Sequence, residues 1–131
     1  MRVIDASALF AALVDGGPQG AWVRARFEGH RVFAPHLVGV EVVQVLRRMV
    51  RSGYLDPKQA DDALRALVSK RIELVEFAPF ASRVWELRDT VSAYDAWYVA
   101  VAEAADAPLV TLDAGLARAP GPRCAFEVGP G

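Results

Sequence analysis

The feature that most constrains this chain is an alternation of short β-branched runs with longer helical stretches. "RVIDAS" reads as a buried strand ending near Asp5, and "SALFAALV" as a helix that "DGGPQG" stops. "GAWVRARFE" reads as a second helix and "RVFAP" as a strand closed by Pro35. "HLVGVEVVQVLRRMVRSG" is a long helix ended by Gly53. "DPKQ" opens the next helix, with Asp56 as cap, Pro57 in the first position and Gln59 three residues after the cap. "IELVEF" (strand), "FASRVWELRDTV" (helix), "YDAWYVAVAEAA" (helix), "PLVTLD" (strand), "AGLARA" (helix) and "CAFEV" (strand) complete the pattern. Such alternation requires a mainly parallel sheet with helices on both faces, an α/β fold. At 131 residues, with no linker or repeat, one domain over residues 1–131 is expected.

In open parallel sheets, ligands bind outside the carboxyl ends of the strands. The polar residues expected there are acids. Asp5 ends the first strand and Asp113 ends "LVTLD". Glu41 lies on the apolar face of its helix, with Leu37, Val38 and Val45 at three and four residues. Asp95 begins a helix that is apolar nearly all round. Each acid alone has a purely local explanation. Asp5 and Asp113 suit helix caps, Ser92 and Asp95 have capping-box spacing, and Glu41 could meet an arginine. Together they are harder to dismiss, because unpaired buried carboxylates cost several kcal/mol each and no basic side chain adjoins them in sequence. A hard divalent cation, Mg²⁺ with Mn²⁺ as the alternative, would be a common partner.

Composition narrows the field further. One cysteine, Cys124, excludes an internal disulfide and any multi-cysteine metal site, and fits a reducing cytoplasmic setting. The two histidines, His30 and His36, read as loop or surface residues. No apolar run is long enough for a membrane span, and "VIDASALFAALV" is broken by Asp5, so it reads as strand plus helix instead of a leader. Net charge is −1; the four acids carry −4, so the rest of the chain sums to +3. Arg47, Arg48, Arg51 and Arg88 are candidate phosphate contacts, against the commoner reading of such charges as a solvated face. The helices around 37–51 and 57–69 carry enough apolar surface for a groove or a dimer face, unless it packs wholly inside the monomer.

"VIDASAL", Glu41 in "GVEVVQVLRR", "SAYDAWYVAVA" and "LVTLDAGLARA" resemble, in order, the four motifs of PIN-domain proteins, and among them the VapC ribonuclease toxins of VapBC toxin–antitoxin pairs. The resemblance runs from about residue 2 to 118, and the span "YDAWYVAVAEAADAPLVTLDAGLA" is its specific part. It implies a three-layer α/β/α PIN-like fold and an Mg²⁺-dependent endoribonuclease acting through metal-activated water. It implies an acidic site of Asp5, Glu41, Asp95 and Asp113, with Asp5 and Asp95 as direct metal ligands and Ser7 as a supporting hydroxyl. Gln44 stands where relatives often carry Asn. A VapB-type antitoxin, a toxin homodimer, and a transfer or ribosomal RNA substrate are implied partners.

Two other classes share the strand-end aspartates. A phosphoacceptor signalling domain would pair Asp5 with a neighbouring acid and place a lysine near the last strand, yet no lysine follows Lys70. An aspartyl phosphatase would carry an acid where Ser7 stands. A third possibility is a non-catalytic binding module whose acids only cap helices.

Overall fold

In the computed structural model, which describes residues 1–131, every strand of the sheet runs parallel to its neighbours. The strands are β1 (Arg2–Ile4), β2 (Val32–Pro35), β3 (Glu73–Val75), β4 (Leu109–Thr111) and β5 (Phe126–Val128), in spatial order β3-β2-β1-β4-β5. The helices are α1 (Ala6–Val14), α2 (Pro18–Phe27), α3 (Val38–Arg51), α4 (Pro57–Ser69), α5 (Ala81–Glu86), α6 (Ala93–Ala105) and α7 (Ala114–Arg118). Parallel strands need crossover connections, and the helices supply them. Helices α5 and α6 pack together, with α6 laid across β1, β2 and β4, while α1 packs on β4 and against α2, α3 and α4. The result is the expected α/β/α layering.

Strand order explains where a site can form. From β1 the chain works outward to β2 and β3, then returns to the other side of β1 to lay down β4 and β5. The crossovers therefore diverge between β1 and β4 and leave a crevice at their carboxyl ends. Asp5 directly follows β1, and Asp113 lies two residues past β4.

The core is aliphatic and built at close quarters. Val3, Ile4, Leu109 and Val110 fill the centre of the sheet, and Ala96, Val99, Ala100, Val101 and Ala102 of α6 cover it. Small residues on α6 and on α1 (Ala8, Ala11, Ala12) let helix backbones approach the sheet. The capping box foreseen at Asp56 forms in both directions. Gln59 N–H donates to Asp56 Oδ1 at 2.8 Å, and Asp56 N–H donates to Gln59 Oε1 at 2.9 Å.

The "DGGPQG" stretch is a built corner between α1 and α2. Asp15 accepts from the N–H groups of Gly17 (2.9 Å) and Gly20 (2.8 Å). Arg24 donates back to the carbonyls of Ala12 (3.1 Å) and Asp15 (2.8 Å), satisfying the end of α1. A Cβ on Gly20 would lie 1.9 Å from the Asp15 carbonyl oxygen, so no side chain fits there. Gly20→Ala should therefore lower stability by about 1–3 kcal/mol, as overpacking does, seen as a lower midpoint in denaturant with unchanged slope.

One element is shorter than its sequence pattern suggests. The helix expected over "FASRVWELRDTV" is α-helical only over Ala81–Glu86, after a 3₁₀ turn at Ala78–Phe80. Leu87 N–H bonds the carbonyls of both Arg83 and Val84, so the helix tightens and ends there. Asp89, Thr90 and Val91 are weak helix formers, and Val91 turns inward to be buried. The apolar surface of α3 and α4 is only partly used inside the monomer: Val40, Val43, Leu64 and Val68 remain exposed. No helix is long and apolar enough to cross a membrane.

Candidate active site

Four helix N-termini meet at the carboxyl edge of the sheet, and each carries one of the four acids. Asp5 is the N-cap of α1 and Asp113 the N-cap of α7. Glu41 and Asp95 lie in the first turns of α3 and α6. Helix N-termini carry partial positive charge, which favours carboxylates there. That is the only cationic character they receive from the fold, since none of the four takes part in a salt bridge.

Asp5 is the most deeply set, only 6% exposed. Its Oδ1 accepts from Ala8 N–H at 3.0 Å and from the Ser7 hydroxyl at 2.7 Å. Its Oδ2 accepts from the Thr111 hydroxyl. Burial pushes its pKa upward, the three hydrogen bonds pull it back in part, and the nearby Asp95 charge adds to the rise. Ser7 also accepts from Leu112 N–H at 3.1 Å, and Thr111 accepts from Asp113 N–H at 3.0 Å. These two hydroxyls thus tie the end of β4 to the end of β1, across the crevice.

Glu41 is half-buried and its Oε1 accepts from the Tyr98 hydroxyl at 2.7 Å. Burial raises its pKa, the Tyr98 bond opposes this, and the charges of Asp95 and Asp5 raise it further. Tyr98 in turn has its own pKa driven far upward, first by burial, so it stays a donor. Asp95 is raised by burial and then by the Asp113 charge. Its N–H donates to Ser92 Oγ at 3.2 Å, but the reciprocal half of the capping box is absent. Capping its own helix therefore does not account for the Asp95 carboxylate. Asp113 is exposed and accepts from Leu116 N–H at 3.0 Å.

The structure thus brings Asp5, Glu41, Asp95 and Asp113 into one electrostatic neighbourhood. No three acidic, histidine or cysteine side chains close on a single point as a ready cage. This donor set suits Mg²⁺ or Mn²⁺ nonetheless: it is all hard oxygen, it lacks compensating cations, and Mg²⁺ keeps several waters with one or two carboxylates.

The arginines divide. Arg48 shares a groove with Glu41 and Gln44, whereas Arg47 and Arg51 line a separate groove between α3 and α4. Arg88 is engaged locally, its guanidinium 4.7 Å over the Trp85 ring and bonded to the Trp85 carbonyl at 2.9 Å. His30 and His36 are both exposed. Two contributors escaped the sequence reading: Thr111, a hydroxyl in an otherwise apolar strand, and Tyr98, three residues past Asp95 on the buried face of α6. The available signal was the same for both, a polar atom in an apolar run that burial obliges to find a partner.

Comparison with known proteins agrees with this fold. The PIN domain family matches residues 2–122. The chain is 38% identical over 133 aligned positions to "Ribonuclease VapC1" of Mycobacterium tuberculosis, covering 96% of each. Its fold superposes on that of PAE2754 from Pyrobaculum aerophilum with a TM-score of 0.74 and 26% identity, covering 97% of this chain and 83% of the other. It also superposes on a chain of the VapBC2 complex from Rickettsia felis, crystallised with a promoter DNA fragment, with a TM-score of 0.70, 17% identity and 98% coverage of both. With the family matched over nearly its whole length and the acids gathered at the expected edge of the sheet, this chain belongs to the PIN-domain family, in its VapC branch.

Proposed function

We propose that this protein is the toxin of a toxin–antitoxin pair, an endoribonuclease that hydrolyses RNA phosphodiester bonds with a divalent cation held at the acidic rim. The observation that carries the reading is a cluster of carboxylates raised in pKa by burial and mutual repulsion, with no basic partner, in a chain so similar to a named ribonuclease. Asp5 and Asp95 would hold Mg²⁺ or Mn²⁺ directly, with Glu41 and Asp113 completing the negative charge. When bound there, such an ion supplies a water of lowered pKa and charge stabilisation at the leaving oxygen.

The chain's own residues prepare this. Ser7 and Thr111 fix both oxygens of Asp5, so the carboxylate cannot swing away. Tyr98 holds Glu41 in the same way. The apolar body of α6 behind Asp95 keeps the rim rigid and water-poor on that side. A phosphoacceptor role suits the site poorly, because Asp5 has no neighbouring acid in the sequence and no lysine follows Lys70. The reading extends to a VapB-type antitoxin as partner, a homodimer, a cytoplasmic setting, and transfer or ribosomal RNA as substrate.

Incubating the purified protein with total cellular RNA tests this. Discrete fragments should appear with millimolar Mg²⁺ or Mn²⁺ and vanish with chelator; cleavage at full rate in chelator would overturn the metal role. Thr111→Val is a finer test. Losing a bond to a buried carboxylate should cost about 1.5–3 kcal/mol of stability, measured in denaturant. Activity should fall roughly 10–100-fold, as when groups orienting a metal ligand are removed.

A further inference from the structure

Beside the acidic rim lies an open groove of about 410 Å³, bounded by α3, the start of α1 and Tyr94. Glu41 stands at its acidic end, and Gln44 and Arg48 continue along the same face of α3, at three and seven residues. Seven helical residues span about 10 Å. Leu37 and Val40 give the groove an apolar floor and wall. Tyr94 lines the same groove as Glu41, Gln44 and Arg48. Its ring is 61% exposed. Among the exposed aromatic side chains, Phe77 is edge-on to Trp97 and Trp85 lies under Arg88, while Tyr54 and Tyr94 have no such contact within the chain. Of these two, Tyr94 lines this groove.

We propose that this groove is a nucleobase subsite for single-stranded RNA: the base flanking the scissile phosphate stacks on Tyr94, Gln44 faces its polar edge, and Arg48 takes the next phosphate. The proposal rests on the ribonuclease reading above and names how its substrate is held. The chemistry matches. An exposed ring supplies stacking that any base can use, a guanidinium beyond it supplies phosphate charge, and an amide offers donor and acceptor groups for base edges. The groove opens directly onto Glu41, so a strand lying in it delivers its phosphate to the acids. A docked protein helix fits less well here. The open groove with the more continuous apolar lining is on the other side of α3, where Val43, Leu46 and Val50 face Ala60 and Leu64.

Binding to a cleavage-deficient Asp5→Asn background isolates the subsite. The probes are a fluorescein-labelled, mixed-sequence RNA 12-mer and an abasic ribose-phosphate chain of the same length, read by anisotropy. Adding Tyr94→Ala should weaken the RNA about 5–100-fold and leave the abasic chain unchanged, while Tyr94→Phe binds as the parent does. Arg48→Ala should weaken both probes alike and reduce the salt slope by about 0.7. Equal effects of Tyr94→Ala on both probes, or no effect on either, would overturn the subsite. So would unchanged RNA binding combined with lost binding of a helical antitoxin peptide, which would assign the groove to a protein. Wild-type protein is assayed in parallel for Mg²⁺-dependent cleavage of total cellular RNA. Cleavage without the Tyr94–base coupling rejects the subsite alone, whereas no cleavage with either Mg²⁺ or Mn²⁺ rejects the ribonuclease reading itself.

Discussion

Asp5→Asn is expected to lower RNA cleavage by more than about 100-fold while leaving the fold intact. Asparagine keeps the local roles of the aspartate. Its side-chain oxygen can cap α1 through Ala8 N–H and accept from Ser7, and its amide can donate to Thr111 Oγ1. What it loses is charge. A substitution in a group that merely orients a metal ligand costs about 10–100-fold, so removal of a proposed ligand should exceed that. Asp95→Asn should behave alike, since the Asp95 carboxylate does not complete the cap of its own helix. The check is a time course of labelled-RNA cleavage beside far-UV circular dichroism. Wild-type rates with a native spectrum in both variants would remove Asp5 and Asp95 from the chemistry.

The same substitution should make the metal-free protein more stable, by a few degrees in Tm at neutral pH. Asp5, Glu41 and Asp95 all have folded-state pKa values raised above their ordinary ones, in each case first by burial. A raised carboxyl binds more protons in the folded than in the unfolded state. Stability therefore falls as pH rises from the unfolded carboxyl range through the raised folded value, and the penalty is complete above it. The uncharged amide of the Asp5→Asn variant carries no such penalty. The Tm gap between Asp5→Asn and wild type should be small near pH 4 and widen towards pH 7. Taking this difference cancels contributions of opposite sign, such as that of Glu103. Partial burial pushes the Glu103 carboxyl up, but Arg83 and the Arg123 N–H outweigh it and hold the pKa below its usual value. Glu103 therefore loses stabilising charge as pH falls. Millimolar Mn²⁺ or Mg²⁺ should raise the wild-type Tm and leave the variant unmoved, closing the gap. A gap that is constant with pH and indifferent to metal would mean that charge repulsion is not what Asp5 contributes.

Such a trade between stability and activity is a general property of sites with concentrated charge. Here its structural basis is specific. The crevice between β1 and β4 is where the topology leaves space, and four helix N-termini aim partial positive charge at it. The acids are tolerated without salt bridges because those dipoles, together with the hydroxyls of Ser7, Thr111 and Tyr98, share the load.

Much of this was readable from residue order. Strand-end position located Asp5 and Asp113, and helical phase put Glu41 on an apolar face. The run after Asp95 marked a buried helix. Phase could also have set Arg47 apart from Arg48, which shares a face with Glu41 and Gln44, but not Arg51, which lies seven residues after Gln44 and is placed in the other groove only by the assembled structure. The hydroxyl ties were beyond reach for a different reason. Thr111 meets Asp5 across 106 residues and Tyr98 meets Glu41 across 57, so each bond exists only once the sheet and α6 are assembled. The early end of α5 was only partly local: the weak helix formers Asp89, Thr90 and Val91 could be read in advance, but that Val91 turns inward to be buried could not.

Whether the uncompensated acids at this rim make a divalent-cation site is tested most directly by a Mn²⁺ titration followed by electron paramagnetic resonance of the free ion. Wild-type protein should deplete the free-ion signal saturably, and Asp5→Asn and Asp95→Asn should abolish that depletion. Equal depletion by all three proteins, or none by wild type at millimolar Mn²⁺, would contradict the assignment.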